Sequence, residues 1–231
     1  MRRYPACNLP GASITMGRML HNTGTVNSPT DGIFLNSIAS ALREIPQTGA
    51  AVDSDDGQRK AAVLIPLLCD GGCWHLLFIR RTELVQDHKG QVSFPGGAFE
   101  PDDASLEATA ARETWEEVGI PPQEINLLGK MPVFSSISKY AITPVVGQIP
   151  WPYPLKLQPV EVSRVFTIPI EWLANPANWS ERPYTRSNGR AENVVFFNHY
   201  DGELLWGITA RITLDFLKLL NYREEENYPP G

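Results

Sequence analysis

A cluster of carboxylates near the middle of the chain offers the clearest chemistry in the sequence. Two glycines open the segment Gly96–Ile120, an acidic turn follows, and a helix-compatible run ends in the letters RETWEEVG. On a helix, the side chains of Glu113, Glu116 and Glu117 fall within about 100° of one another. Like charges at these spacings repel, at about 0.2–0.5 kcal/mol per pair. The spacing therefore predicts a bound cation among the three glutamates.

The type of ligand indicates which cation the site binds. Carboxylate oxygens suit hard divalent ions, and Mg²⁺ in proteins is usually held by few carboxylates together with waters and substrate phosphates. We therefore expect a phosphate-processing site that uses Mg²⁺ or Mn²⁺. The alternative is a solvated acidic helix face, which three glutamates alone would favour. The glycines and Arg112 in the same segment favour the metal site.

This segment resembles the Nudix box of the Nudix hydrolases, which use metal to hydrolyse nucleoside diphosphates linked to another moiety. The resemblance implies that the arginine orients a box carboxylate through an ion pair and that the glutamates bind metal. The implied catalytic residues within the box are Arg112, Glu113, Glu116 and Glu117. The general box has a glutamate eight residues before its arginine, where this chain has Ala104. Asp103 lies one position earlier, so the acidic turn is one residue longer.

A second resemblance covers about residues 60 to 220. The segment Leu76–Gly97 is similar to the additional signature of the coenzyme A diphosphatase branch, in which Leu-Leu-x-x-Arg leads through a glycine to Phe-Pro-Gly-Gly. The segments Thr143–Gly147, Glu161–Val162 and Trp206–Ala210 also look like that branch, in the same order. The implied reaction is cleavage of the diphosphate of coenzyme A or acyl-CoA to 3′,5′-ADP and a 4′-phosphopantetheine product.

The same resemblance and the positions along the chain give candidate substrate residues. Arg80 and His88 are cationic and precede the glycine turn, so they are candidates to bind a polyanionic substrate together with Gly96 and Gly97. Glu161 is a candidate for an additional carboxylate from outside the helix, acting as a metal ligand or as a base.

Three departures from the branch signature keep other functions open. Phe78 stands where a threonine is usual, Arg81 where a serine is usual, and Gln86 where an arginine is usual. They favour as one alternative the hydrolysis of another nucleoside diphosphate derivative such as ADP-ribose. A further alternative is a Nudix module that binds a nucleotide without cleaving it, although a pure binder need not hold repelling carboxylates together.

Composition narrows the classes of partner. The chain has 231 residues, 42% of them hydrophobic, and a formal net charge of −6, so we expect no general attraction to nucleic acid or to an anionic membrane. The sequence contains no run of 18 apolar residues, so we do not expect a helix that spans a membrane. The three cysteines predict reduced thiols in a cytoplasmic protein. Organellar targeting by the first 30 residues, which lack acidic side chains, stays open, as does a homodimer.

The hydrophobic pattern indicates the elements that position these residues. Mixed strands with helices on either side predict an α/β protein with a Nudix-type α/β/α sandwich and a mixed β-sheet. We expect an N-terminal arm over residues 1–58 with a short helix near 32–45, a Nudix hydrolase domain over 59–223 and a tail over 224–231. The predicted elements of the domain are a hairpin of strands 61–68 and 74–79, a strand at 91–94, a helix capped by Asp102, Asp103 or Ser105, strands at 125–134, 142–149 and 162–168, a short helix at 169–174, a polar loop at 175–192, a hairpin of 194–197 and 204–206, and a final helix at 208–220.

Overall fold

The computed structural model describes residues 29–45, 57–83, 89–136, 139–185, 189 and 191–220. Groups of strands separate the α-helices along these segments. The helices are α1 (Pro29–Glu44), α2 (Leu106–Val118), α3 (Ile170–Ala174) and α4 (Gly207–Leu219). The strands are β1 (Arg59–Asp70), β2 (Cys73–Arg81), β3 (Val92–Ser93), β4 (Gly96–Ala98), β5 (Asn126–Lys130), β6 (Phe134–Ser135), β7 (Tyr140–Gln148), β8 (Val162–Pro169), β9 (Trp179–Thr185) and β10 (Ala191–Phe197).

The hairpin of β1 and β2 turns at a pair of glycines. Asp70 pairs with Cys73, and Gly71 and Gly72 between them have φ values of 58° and 83°. Both angles lie in the left-handed region, where glycine has no steric penalty. The hairpin predicted at this turn is therefore confirmed.

The main sheet is mixed and has eight strands. Its central path runs β3-β2-β1-β7-β5, with β4 paired to β1, β6 to β7 and β8 to β2. Strand β1 runs parallel to β7 and antiparallel to β2 and β4. A parallel pair needs a crossover connection, and here α2 lies in the chain between β1 and β7. The α/β class and the mixed sheet predicted from the sequence are confirmed.

Helices cover both faces of this sheet. Ala110 and Val118 of α2 pack in one apolar cluster with Leu64 of β1. Neighbouring Ile65 belongs to a second cluster that includes Ile212 of α4 and residues of α1. Because successive side chains of a strand face opposite sides, burial of both residues shows that β1 lies between two helical layers.

Helix α1 packs on the same core as the sheet. Its residues Phe34, Ile38 and Leu42 are buried and recur at helical spacing. The short helix predicted near 32–45 is confirmed, and it begins three residues earlier, at Pro29. The division of the chain into an arm, a domain over 59–223 and a tail stays a prediction.

The polar loop predicted over residues 175–192 was wrong in part. Strand β9 pairs with β10 in a separate two-stranded sheet, and the Arg182 guanidinium lies over the Phe196 ring at 4.7 Å. All residues of β9 after Trp179 are exposed, so the segment carries no apolar alternation that would predict a strand. The hairpin predicted for 194–197 and 204–206 reduces to isolated bridges, one of which joins Phe196 to Trp206.

The cysteine prediction was wrong for one residue of the hairpin. Cys69 is a free thiol, whereas Cys73 is disulfide-bonded, so the expectation of reduced thiols holds for Cys69 alone of these two. Cys7 lies outside the described residues. None of the helices within the described ranges is long and apolar enough to cross a bilayer.

Candidate active site

Helix α2 begins and ends at residues that suit those positions. The Ser105 Oγ accepts a hydrogen bond from the Ala108 N–H at 3.2 Å, so Ser105 is the N-cap among the three candidates. At the other end Gly119 has a φ of 81°, and its N–H donates to the Trp115 carbonyl at 2.9 Å. Glu113 and Glu117 therefore lie in the last two turns of the helix.

Arg112 ties the acidic turn, strand β4 and the helix together. Its Nε and Nη2 donate to the two carboxylate oxygens of Asp103 at 2.9 and 3.0 Å. The same Nη2 donates to the Ala98 carbonyl at 3.1 Å. Nη1 donates to Glu113 at 3.0 Å and to Glu116 at 3.2 Å. The Arg112 guanidinium holds the pKa of Asp103 well below its usual range, so both groups stay charged.

Glu117 is a carboxyl group buried against the glycine turn. Its side chain is 1% exposed, and its Oε2 accepts the Gly96 N–H at 2.9 Å. Burial raises the pKa of Glu117 to about 8, and the charges of Glu113 and Glu161 act in the same direction. The Arg81 Nη1, 3.5 Å from Oε1, opposes that rise only in part. A carboxyl group in these surroundings needs more positive charge than the chain supplies.

Steric limits explain the two glycines opposite the helix. A Cβ at Gly97 would lie 2.4 Å from the carboxyl carbon of Glu113, and a Cβ at Gly96 would lie 2.4 Å from the Ala62 carbonyl oxygen. Real Cβ contacts at these distances do not occur, so Gly97 makes room for the Glu113 carboxylate and Gly96 for strand β1. Burial also raises the pKa of Glu113, which Arg112 opposes.

Glu161 lies on a segment that is hydrogen-bonded to the C-terminal end of α2. The Lys156 N–H donates to the Val118 carbonyl and the Gln158 N–H to the Glu117 carbonyl, both at 3.0 Å. The Thr82 N–H then donates to the Glu161 carbonyl at 2.9 Å. The negative charge of Glu161 raises the pKa of Glu113 and of Glu117, so its carboxylate lies within electrostatic reach of both.

The structure brings only part of the predicted substrate residues to this site. Arg80 instead pairs with Glu203 at 3.5 Å, and Arg164 pairs with the same carboxylate at 3.0 Å. His88 lies outside the described residues. Arg81 contacts Glu117, which the sequence did not indicate. Strand alternation could have indicated this contact, because the neighbouring side chains of Arg80 and Arg81 lie on opposite faces of β2 and only one of them can face α2.

The carboxylates fit a divalent cation that completes its shell with other ligands. Across the described segments no three His, Cys, Asp or Glu side chains are arranged to hold a metal by themselves. The buried Glu117 and the half-buried Glu113 are nevertheless like charges near Glu161, while Arg112 is already paired with Asp103. Glu116 is 52% exposed and accepts from Arg112. Such an oxygen-rich, partly complete set matches Mg²⁺, which usually keeps several waters and binds substrate phosphate.

Comparison with known proteins agrees with this geometry. A model of the NUDIX domain matches residues 58–187. An uncharacterized Nudix hydrolase NudL of Photorhabdus laumondii is 38% identical over 157 residues, which cover 68% of this chain and 82% of that protein. One from Yersinia pestis is 38% identical over 154 residues, covering 67% and 76%. A MutT/nudix family protein from Enterococcus faecalis is similar in structure, with a TM-score of 0.47 and 15% identity over 73% of this chain and 64% of that chain.

The matched range includes both the glycine turn and the carboxylate helix. It covers more than half of the chain, and the NudL relatives are matched over three quarters or more of their own length. The chain therefore belongs to the Nudix family, whose hydrolases act on phosphoanhydride bonds.

Proposed function

We propose that this protein is a metal-dependent hydrolase that cleaves the diphosphate of coenzyme A or acyl-CoA to 3′,5′-ADP and a 4′-phosphopantetheine product. The observation that carries the hydrolase is the position of two carboxyl groups against Gly96-Gly97, the buried Glu117 and the half-buried Glu113. Holding two carboxylates together with one of them buried is unfavourable unless a cation joins them. The segments Leu76–Gly97 and Trp206–Ala210 support coenzyme A as the substrate class.

Each carboxylate has a role in this proposal. Glu113, Glu116 and Glu117 would hold Mg²⁺ or Mn²⁺. Such an ion makes water nucleophilic at neutral pH and neutralises charge on the leaving phosphate. Arg112 orients Glu113 and Glu116 through its hydrogen bonds. Glu161 accepts a proton from the attacking water or adds a ligand.

The substrate is a small nucleotide, and cations near the glycine turn would receive its phosphates. Arg81 contacts the site directly, and the Gly96 N–H donates to Glu117. Arg80 is 43% exposed and keeps surface available besides its pair with Glu203. Arg80 and His88 remain candidate substrate residues, and a homodimer remains a proposal.

A second candidate substrate is another nucleoside diphosphate such as ADP-ribose. The observation that favours it is Arg81, which replaces the usual serine of the coenzyme A signature and contacts the Glu117 carboxylate. A long cation at this position changes the space next to the catalytic carboxylates. It can therefore alter which substrate fits.

A substrate panel tests these proposals. Purified protein is incubated with coenzyme A, acetyl-CoA and ADP-ribose, each with Mg²⁺, with Mn²⁺ and with a chelator, and the products are identified by mass spectrometry. We expect 3′,5′-ADP from coenzyme A, only with metal. Cleavage of ADP-ribose alone would replace the substrate assignment. Ligands that bind but come through intact, regardless of metal, would support a binding module instead.

A further inference from the structure

A cavity of about 140 Å³ lies beside the glycine turn, between the sheet and the first turn of α4. We refer to it as the α4 cavity. Its walls expose more apolar than polar surface, and Arg81 and Ser93 are among its polar lining residues. The aliphatic side chains that matter here are Val63, Ile142, Ile208 and Ile212.

The α4 cavity shares two residues with the carboxylate site. Gly96 and Arg81 both line it, and both contact Glu117, the former through its N–H at 2.9 Å and the latter at 3.5 Å. A substrate whose phosphates lie against the glutamates can therefore extend past the glycine turn into the cavity.

Two buried polar atoms of the lining residues have no partner. Within the part of the chain that the structure describes, Arg81 Nε and Ser93 Oγ are buried and make no hydrogen bond. Such atoms are rare in folded proteins, because each lowers stability when left unsatisfied. A ligand that bonds to both atoms would remove this cost.

The sheet register places these two residues near each other. Ser93 lies opposite Ile79, and the Arg81 N–H donates to the Gln91 carbonyl at 3.0 Å. Arg81 and Ser93 are therefore diagonal neighbours across two strands, about 7–8 Å apart. A secondary amide matches this pair chemically, because its oxygen accepts from Nε–H and its N–H donates to Oγ.

The walls favour an aliphatic amide over a nucleobase. Phe94 is the one aromatic residue among the described residues that line the cavity, and it is 2% exposed. Its ring stacks on Phe78 in the core with centroids 4.8 Å apart, so this ring face does not stack on a ligand. Proteins that bind bases commonly stack them on aromatic rings, whereas aliphatic walls bury methylene and methyl groups.

We propose that the α4 cavity binds the amide-bearing arm of the substrate, with Arg81 and Ser93 hydrogen-bonded to one of its secondary amides. This rests on the proposed function, since in coenzyme A the arm is pantetheine. The diphosphate then lies at Glu113 and Glu117, and the arm runs toward α4. Specificity for the arm comes from a different part of the molecule than the hydrolytic chemistry.

Direct binding of the two product halves tests the proposal without any need for turnover. Calorimetry measures the binding of 4′-phosphopantetheine and of 3′,5′-ADP to the parent protein and to two variants. Ile208→Phe fills the cavity, and Leu219→Phe is a matched change elsewhere on α4. We expect Ile208→Phe to weaken 4′-phosphopantetheine at least about tenfold and to leave 3′,5′-ADP unchanged. Leu219→Phe should change neither.

Ser93→Ala tests the hydrogen bond with little change in volume. Loss of one neutral hydrogen bond should raise KM for coenzyme A about two- to tenfold, with less effect on kcat. Thermal unfolding of each variant shows that it is folded.

The outcomes separate the two proposals. If 4′-phosphopantetheine binding depends on the cavity but coenzyme A is not cleaved, the site stands and the proposed function is wrong. If coenzyme A is cleaved but no variant changes the binding of either half, the α4 cavity is not an arm site. Weakened 3′,5′-ADP binding in Ile208→Phe would show that the cavity binds the base and would overturn the proposal. The proposal would also be wrong if 4′-phosphopantetheine at millimolar concentration did not bind to the parent.

Discussion

At the scale of single residues, Glu117 shows how function opposes stability. Its carboxyl group is almost wholly buried, and its pKa is raised to about 8. A group whose folded pKa lies above its ordinary value of 4.5 favours the folded state most below pH 4.5. That contribution is lost as the pH rises toward 8. Without metal, Glu117 therefore lowers the stability of the protein progressively as the pH rises from 4.5 to about 8.

We therefore predict that Glu117→Gln stabilises the metal-free protein. The neutral amide can keep the Gly96 hydrogen bond but carries no buried charge, so the gain at pH 8 should be on the order of 2 kcal/mol. Urea unfolding with chelator present, from pH 5 to pH 8, measures it. The gain should grow with pH, and the exposed Glu124→Gln should show none. A Glu117→Gln variant less stable than the parent at pH 8 would contradict the electrostatic account.

The pKa of Asp103 is shifted in the opposite direction to that of Glu117. Its folded pKa lies below its ordinary value of 3.8, mainly because of the hydrogen bonds from Arg112. Its stabilising contribution is therefore present above pH 3.8 and is lost as the pH falls through the lower folded value. Asp103→Asn should lower the free energy of unfolding at pH 7 by about 1.5–3 kcal/mol, with a smaller deficit in acid. Unfolding at both pH values measures this, and equal deficits would show that the charge is irrelevant. The exposed neighbour Asp102→Asn is the matched control.

At the scale of elements, the contact between β4 and α2 is the central packing feature of the site. A Cβ at Gly97 would lie 2.4 Å from the carboxyl carbon of Glu113, so this carboxylate would have to move. The obstructing atoms are the far end of a flexible side chain, so the helix can stay in place while the carboxylate moves. The geometry therefore separates an effect on activity from an effect on folding.

Gly97→Ala should accordingly lower kcat/KM at least about tenfold, since small displacements of a reacting group carry large rate costs. The melting temperature should change by only a few degrees. Gly32→Ala, in helix α1 with nothing within 4 Å of a Cβ, should keep full activity and gain about 0.5–1 kcal/mol of stability. Steady-state kinetics and thermal unfolding measure both. Full activity in Gly97→Ala would mean that the position of Glu113 does not matter.

The sequence predicted some elements and missed others for physical reasons. Helix α2 carries strong local signals, a serine cap and a closing glycine, and was predicted closely. Strand β9 carries none, because nearly all of its side chains are exposed and its pairing with β10 supplies the stability. In the sequence, Arg81 is visible only as a departure from the coenzyme A signature, which usually has a serine at this position. Its contact with Glu117 depends on the packing of β2 beside α2, and these residues are 36 positions apart.

At the scale of the whole molecule, the α/β class and the mixed sheet followed from the pattern of apolar runs. The path of the sheet did not, because the parallel pairing of β1 and β7 depends on long-range contacts. The packing of α1 on the sheet also went beyond the sequence prediction, which placed that helix in an N-terminal arm. Its buried stripe shares a cluster with residues of β1 and α4.

If α1 is integral to the core, Ile38→Ala should destabilise the protein by about 2–5 kcal/mol, as for other large-to-small core changes. Ile38 is fully buried. Ile33→Ala, at a position 52% exposed on the same helix, should cost much less. Chemical denaturation of the full chain compares them. Equal, small effects would indicate that α1 is only loosely attached.

The most direct test of the central claim is hydrolysis by the Glu117→Gln variant. The substrate cleaved fastest in the panel is followed as Mg²⁺ is titrated, with parent and Glu124→Gln alongside. If buried carboxylates bind a metal that acts on the diphosphate, Glu117→Gln should fold and yet lose at least about 100-fold in kcat, a loss comparable to removing one charge-stabilising group. It should also need more Mg²⁺. Turnover equal to the parent at the same Mg²⁺ concentration would contradict the account.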